Sequence, residues 1–186
     1  MRPARSPRGT TSRYDRCRGK PAMSTENTTP NMQLNFTLNG QLLNMRVGPA
    51  RRLLDILRLD QGLTGPKEGC SIGRCGACTI QLDGAAVPAC LLLAYQVQGK
   101  EVITVEGLRS KPAFQRVADS LIEHGALQCG YCIPGIATSL TAALTQRPNA
   151  SEGELEQAMH GNLCRCTGYS GLQQVIKDLA TPAPNN

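Results

Sequence analysis

The chain has 186 residues, 40% of them hydrophobic but only 3% aromatic, with no Trp and nine Cys. Lys and Arg outnumber Asp and Glu by 20 to 14, and most of that excess sits in residues 1–31, which leaves the rest close to neutral. A near-neutral body argues against a nucleic-acid-binding protein, and no apolar run approaches the roughly 20 residues of a membrane span.

Residues 1–31 read as a disordered basic leader. Their charge comes from Arg2, Arg5, Arg8, Arg13, Arg16, Arg18 and Lys20 against Asp15 and Glu26. Polar tracts containing Pro and Ser seldom fold alone. The alternatives are an anionic partner surface for the charge, or a start codon placed too early with Met23 as the natural start. The leader lacks the apolar stretch of about 7–15 residues that a secretory signal needs. The expected compartment is therefore the cytoplasm, where structural disulfides are rare. An odd cysteine count points the same way, to metal ligands rather than disulfides. Cys17, alone in the leader, reads as a stray thiol.

Order is predicted from about Met32. Gln33 to Leu38 reads as a strand, with Leu34, Phe36 and Leu38 on one face. Asn39-Gly40 is a strong hairpin signal, because both residues accept positive φ. Gln41 to Val47 returns as the second strand. Arg51 to Leu59 reads as a short helix carrying Leu53, Leu54, Ile56 and Leu57. Residues 62–78 are a loop rich in Gly and Cys. Thr79 to Leu82 followed by Asp83-Gly84 predicts another hairpin, and Glu101 to Val105 a last strand. The first half is thus α+β.

The second half changes to helical periodicity. Pro112 to Glu123 and Pro134 to Thr145 each carry an apolar stripe. Ser151 and Glu154 form a capping-box pattern at the head of a third helix. Ser170 is placed to cap a fourth, bearing Leu172, Val175, Ile176 and Leu179. Four short helices predict a small bundle. Gly107 and Pro112 mark the switch. The resulting divisions are a leader 1–31, an α+β unit 32–107, a helical unit 108–181 and a tail 182–186.

Eight cysteines fall into two quartets. Cys70, Cys75, Cys78 and Cys90 have the tight C-x4-C-x2-C run of plant-type ferredoxins, then a distant fourth ligand. Each iron of a 2Fe–2S cluster takes two thiolates, and the sulfides carry negative charge that inward-facing amides stabilise. Gly69, Gly73 and Gly76 would let the backbone approach, and Lys67 and Arg74 would add positive charge. Structural zinc favours C-x2-C pairs, often with His; here one gap is four and no His is near. Cys129, Cys132, Cys164 and Cys166 form the second quartet, as C-x2-C and C-x-C, each pair between two helices. Helix N-termini there would favour an anionic cluster. That spacing alone leaves zinc open, and the neighbouring first quartet favours iron–sulfur.

Catalytic groups are lacking by the same reading. His124 and His160 fall near helix C-termini, where surface or capping roles suffice. Asp55, Glu68 and Asp119 fit solvated faces. No Ser–His–Asp set, P-loop or GxGxxG unit occurs. No catalytic residue is assigned.

The strings KEGCSIGRCGACTIQLDG, GALQCGYCIPG and GNLCRCTGY resemble the iron–sulfur subunit of the molybdenum hydroxylases, the xanthine dehydrogenase and aldehyde oxidoreductase family. The resemblance runs from about residue 33 to 180. It implies a ferredoxin-like (β-grasp) domain followed by an all-α four-helix domain, each holding a 2Fe–2S cluster. It also implies a large subunit with molybdopterin and a middle subunit with FAD, and electron flow from molybdenum through the helical-domain cluster and then the ferredoxin-domain cluster to FAD. Gln128 and Cys166 would contact the pterin. Ser71 stands where many relatives have Gly, and its hydroxyl is expected to reach a cluster sulfur. The implied substrate is a purine such as xanthine or hypoxanthine. Aldehyde, nicotinate, nicotine and isoquinoline hydroxylases use similar subunits. A free-standing ferredoxin-type carrier and a zinc-stabilised interaction module are the readings from other classes.

Overall fold

The computed structural model describes residues 31–180. The expectations for the leader, for Cys17 and for the last residues lie outside that range. The first half holds five strands, β1 (Met32–Leu38), β2 (Gln41–Val47), β3 (Thr79–Leu82), β4 (Ala85–Pro88) and β5 (Glu101–Ile103). They form one sheet in the order β2-β1-β5-β3-β4. β1 and β5 run parallel and the other pairs antiparallel.

Both predicted hairpins form, and for the predicted reason. Asn39 and Gly40 take φ of 51° and 82°, and Asp83 and Gly84 take 49° and 82°. These are the paired positive values that a two-residue turn matching strand twist requires. Alternation then buries Leu34, Phe36 and Leu38 beneath the sheet. They pack on Leu53, Leu54, Ile56 and Leu57 to form the first hydrophobic cluster.

Two elements differ from expectation. The predicted helix 51–59 begins as a short α-turn, Leu53–Asp55, and widens into a π-helical turn, Ile56–Asp60. We call the two together α1. The wider turn buries both Ile56 and Leu57 and brings Arg58 beneath the cysteine loop, where its guanidinium donates to the carbonyls of Thr64 (3.2 Å) and Pro66 (2.8 Å). The last strand stops at Ile103 instead of Val105. The amide of Thr104 turns to the side-chain oxygen of Asn39 at 2.8 Å, and a short helix α2 (Val105–Leu108) follows. That helix straddles the expected boundary between the two units.

The second half holds α3 (Pro112–Glu123), α4 (Ile133–Gln146), α5 (Glu152–Met159) and α6 (Ser170–Ala180). Their apolar stripes meet in a second cluster around Leu121, Ile136, Leu140, Leu155, Leu172 and Ile176. Ser170 is the first residue of α6 and not its cap; Tyr169 precedes it at φ 65°. α4 packs against β3 as well as against α3 and α5, so it joins the sheet to the helices. No helix among the described residues is long and apolar enough to cross a membrane.

Candidate metal centre

The first quartet is built by the long loop between α1 and β3, plus one residue beyond β4. Cys70 and Cys75 lie on the loop and are partly exposed, Cys78 enters β3 buried, and Cys90 sits buried on a 3-10 turn, Ala89–Leu91. The loop turns its amides toward the sulfurs. Gly73 N donates to Cys90 Sγ at 3.3 Å and Arg74 N to Cys70 Sγ at 3.2 Å. Amides aimed at sulfur lower a thiol's proton affinity, and the one from Ile72 leads the set that holds Cys70 down at about 6. Burial does the reverse to Cys78, pushed up to about 12.

Several expected roles resolve differently. The Ser71 hydroxyl donates to the Glu68 carboxylate at 2.8 Å and not to a sulfur. Its φ of 56° puts it in the left-handed region, which explains why Gly suits that position. Lys67 Nζ donates to the Thr64 carbonyl at 2.7 Å. The Arg74 side chain is exposed, and its contribution to the sulfurs is the backbone amide. Gly69 does clear the way for sulfur: a Cβ there would lie 2.8 Å from Cys75 Sγ. Gly76 answers a different demand, since its Cβ would lie 2.3 Å from the carbonyl oxygen of Gly161 in the helical half.

The second quartet lies where α4 and α6 begin. Cys132 is the N-cap of α4, at the positive end of that helix. Burial nevertheless pushes its thiol up to about 12. Cys164 is buried and would rise, but the Thr167 hydroxyl, 3.1 Å from its Sγ, and nearby amides outweigh that and bring it down. Its own N–H is accepted by the Tyr169 hydroxyl at 2.9 Å. Cys129 and Cys166 are exposed, with sulfurs 3.4 Å apart. The Tyr131 amide lowers Cys129, and its neighbour Cys129 raises Cys166. Gln128 is exposed beside them.

The eight thiols are all free and meet as neighbours in pairs: Cys70 with Cys75, Cys78 with Cys90, Cys129 with Cys166, and Cys132 with Cys164. Among the described residues no three Cys, His, Asp or Glu side chains close around a single ion. Two thiolates per iron is what each half of a 2Fe–2S unit takes, so paired thiols ringed by amides fit that group. Of the other candidates, His124 caps the end of α3 and His160 the end of α5. Asp55 is engaged by Arg52 at 2.9 Å, Glu68 accepts from Ser71, and Asp119 is exposed.

Three contacts join the quartets. Leu163 N donates to the Cys75 carbonyl at 2.9 Å, Asn162 Nδ2 to the Gly76 carbonyl at 3.0 Å, and the Tyr131 hydroxyl to the Glu68 carbonyl at 2.6 Å. Sequence reading missed Arg58, Tyr131, Asn162 and Tyr169. The available signal was position: three of them lie within five residues of a second-quartet cysteine.

Comparison with known proteins returns a 2Fe-2S binding domain family over residues 104–177. The chain is 42% identical over 142 residues to a probable xanthine dehydrogenase subunit of Bacillus subtilis, covering 76% of this chain and 82% of that one. It is also 42% identical over 144 residues to the nicotinate dehydrogenase small FeS subunit of Eubacterium barkeri, covering 77% and 92%. Among solved structures, a chain of quinoline 2-oxidoreductase from Pseudomonas putida matches with a TM-score of 0.71 at 42% identity, over 82% of this chain and 92% of that one. The aldehyde oxidoreductase of Desulfovibrio gigas matches with a TM-score of 0.72 at 36% identity, over 80% of this chain and 17% of that longer one.

Proposed function

The chain belongs to the iron–sulfur small-subunit family of the molybdenum hydroxylases, and from that membership we propose that it is the subunit that carries electrons from a molybdopterin centre to FAD or another acceptor. The observation that carries this reading is the contact between the quartets, above all the Leu163 amide on the Cys75 carbonyl. Two thiol sets joined through backbone suit a relay better than two unrelated structural sites.

In this reading Cys70, Cys75, Cys78 and Cys90 hold one 2Fe–2S cluster, and Cys129, Cys132, Cys164 and Cys166 the other. When bound, the clusters supply one-electron redox chemistry in which no substrate bond is made or broken. The protein's own part is to fix the thiolates in pairs, to aim amides at them, and to keep the two loops together. We propose that the sheet with its cysteine loop is a ferredoxin-like, β-grasp domain (residues 32–107) and that the helices form the second domain (108–181).

The partners are proposed as a large molybdopterin-binding subunit and an FAD-binding subunit, in the cytoplasm. Exposed apolar side chains support a covered face around the second quartet. Leu127, Tyr131 and Leu163 are 42%, 48% and 57% exposed beside the open thiols of Cys129 and Cys166. Gln128 and Cys166 would meet the pterin there. The substrate is read as a purine from the EGCSIGRCGACTIQLDG stretch. A relative named for nicotinate is as similar as one named for xanthine, and one named for aldehyde matches too, so oxidation of an aldehyde or of another nitrogen heterocycle stands as the alternative reading.

The test uses the assembled complex with Gln128→Ala. A net hydrogen bond is worth about 0.5–1.5 kcal/mol, more when a buried partner is left unpaired. Molybdenum content should fall, or cluster reduction after substrate addition should slow in stopped-flow absorbance. Reduction of FAD by an external donor should be unchanged. Wild-type molybdenum content together with wild-type cluster reduction would remove Gln128 from the contact. Hydroxylation of a purine by the isolated chain would remove the relay reading itself.

A further inference from the structure

Asn162 is a polar side chain buried to 4% exposure at the seam between the sheet and the helices. Both its amide nitrogen and its amide oxygen have partners across that seam or behind it. Nδ2 donates to the Gly76 carbonyl at 3.0 Å and approaches Thr79 Oγ1 at 3.4 Å; Oδ1 accepts from Ser139 Oγ of α4 at 2.8 Å. The residues it joins are close neighbours of cysteines from both quartets. Gly76 lies between Cys75 and Cys78, while Asn162 is two residues before Cys164.

The surroundings leave Gly76 no slack. A Cβ on Gly76 would lie 2.3 Å from the Gly161 carbonyl oxygen, and a Cβ on Gly135 would lie 2.2 Å from the Gly76 carbonyl oxygen. The Thr79 hydroxyl donates to that same carbonyl at 2.7 Å. The Gly76 peptide is thus gripped by Thr79 on its own side and by Asn162 from the helical half, with Gly135 of α4 packed close against it. The next residue after Asn162 supplies the Leu163 amide that meets Cys75. A buried amide paired at both ends favours one geometry, because a shift that breaks either bond leaves a buried polar atom unpaired.

We propose that Asn162 is a positioning residue for electron passage between the two quartets, an inference that rests on the relay reading above. It holds the Cys75–Gly76 peptide against Leu163 and Cys164, so that the separation and orientation of the two sites stay fixed as each changes redox state. The eight cysteines would hold the two clusters, and in that reading a single electron given up at the Cys129–Cys166 side would be taken up at the Cys70–Cys90 side, with no covalent bond made or broken.

The experiment uses the assembled complex with three variants. Asn162→Asp keeps size and the Ser139 bond but sets a carboxylate oxygen against the Gly76 carbonyl. Asn162→Leu removes all three polar contacts. Ser139→Ala removes only the brace on Oδ1. The readouts are iron content, the two EPR signals, the spin–spin splitting between them when both sites are reduced, and the rate of electron equilibration between the sites after rapid reduction.

The expected result is full iron and both signals, with altered splitting and equilibration slowed several-fold in Asn162→Asp and Asn162→Leu, and a smaller change of the same kind in Ser139→Ala. Unaltered splitting and rate in iron-loaded Asn162 variants would overturn the proposal. So would loss of iron from both Asn162 variants while Ser139→Ala matches the unmodified complex, since Asn162 would then serve folding alone. Absence of two EPR signals from the unmodified complex would instead refute the relay reading.

Discussion

At the scale of single residues, the glycines give the sharpest contrast. Gly76 and Gly84 both have positive φ, 67° and 82°. A Cβ at Gly76 would collide with backbone of the helical half, whereas one at Gly84 would meet nothing within 4 Å. Left-handed backbone costs a non-Gly residue about 1–3 kcal/mol. Gly84→Ala should therefore show that cost alone in thermal unfolding. Gly76→Ala should exceed it and also lose iron, because the seam must open. Equal unfolding midpoints and equal iron for the two would contradict this packing. Cys75→Ser addresses the thiols directly. It should abolish the EPR signal of the first quartet and leave the second reducible by substrate; loss of both signals from a folded variant would show that the quartets are not independent sites.

At the scale of elements, much was legible because local chemistry decides it. Asn39-Gly40 and Asp83-Gly84 fix their hairpins, and the stripe in Pro112–Glu123 gave that helix to the residue. The Ser151–Glu154 pattern also formed: the Glu154 carboxylate accepts from the Ser151 amide at 2.9 Å and its hydroxyl at 3.0 Å. Ser151→Ala should cost about 1 kcal/mol in chemical denaturation. The Ser151 amide, its hydroxyl and Arg147 hold Glu154 below the usual carboxylate range. A depressed carboxylate stabilises the fold at neutral pH, and the contribution is lost as pH falls through its folded value. Glu154→Gln should thus flatten the acid side of the stability curve, and an unchanged acid limb would show that the box contributes nothing. Tertiary demands set what the sequence hid. α1 widens to bring Arg58 under the loop, β5 ends where Asn39 captures Thr104, and Tyr169 enters α6 with its hydroxyl committed to Cys164. None of these is a local preference of the residues concerned.

At the scale of the whole molecule, spacing singled out the eight cysteines that the structure brings together in four pairs, but the join between the two sets was not legible along the chain. Asn162 and Tyr131 reach partners 86 and 63 positions away, and no pattern along the chain announces such a pairing. That join is what turns two cysteine sets into a candidate conductor. The central claim is two clusters in one chain, each held by four of the eight thiols. Its most direct test is iron analysis beside low-temperature EPR of the dithionite-reduced complex. The account predicts about four irons per chain, two for each quartet, and two distinct 2Fe–2S signals. About two irons per chain with a single signal, or a colourless protein containing zinc, would contradict it.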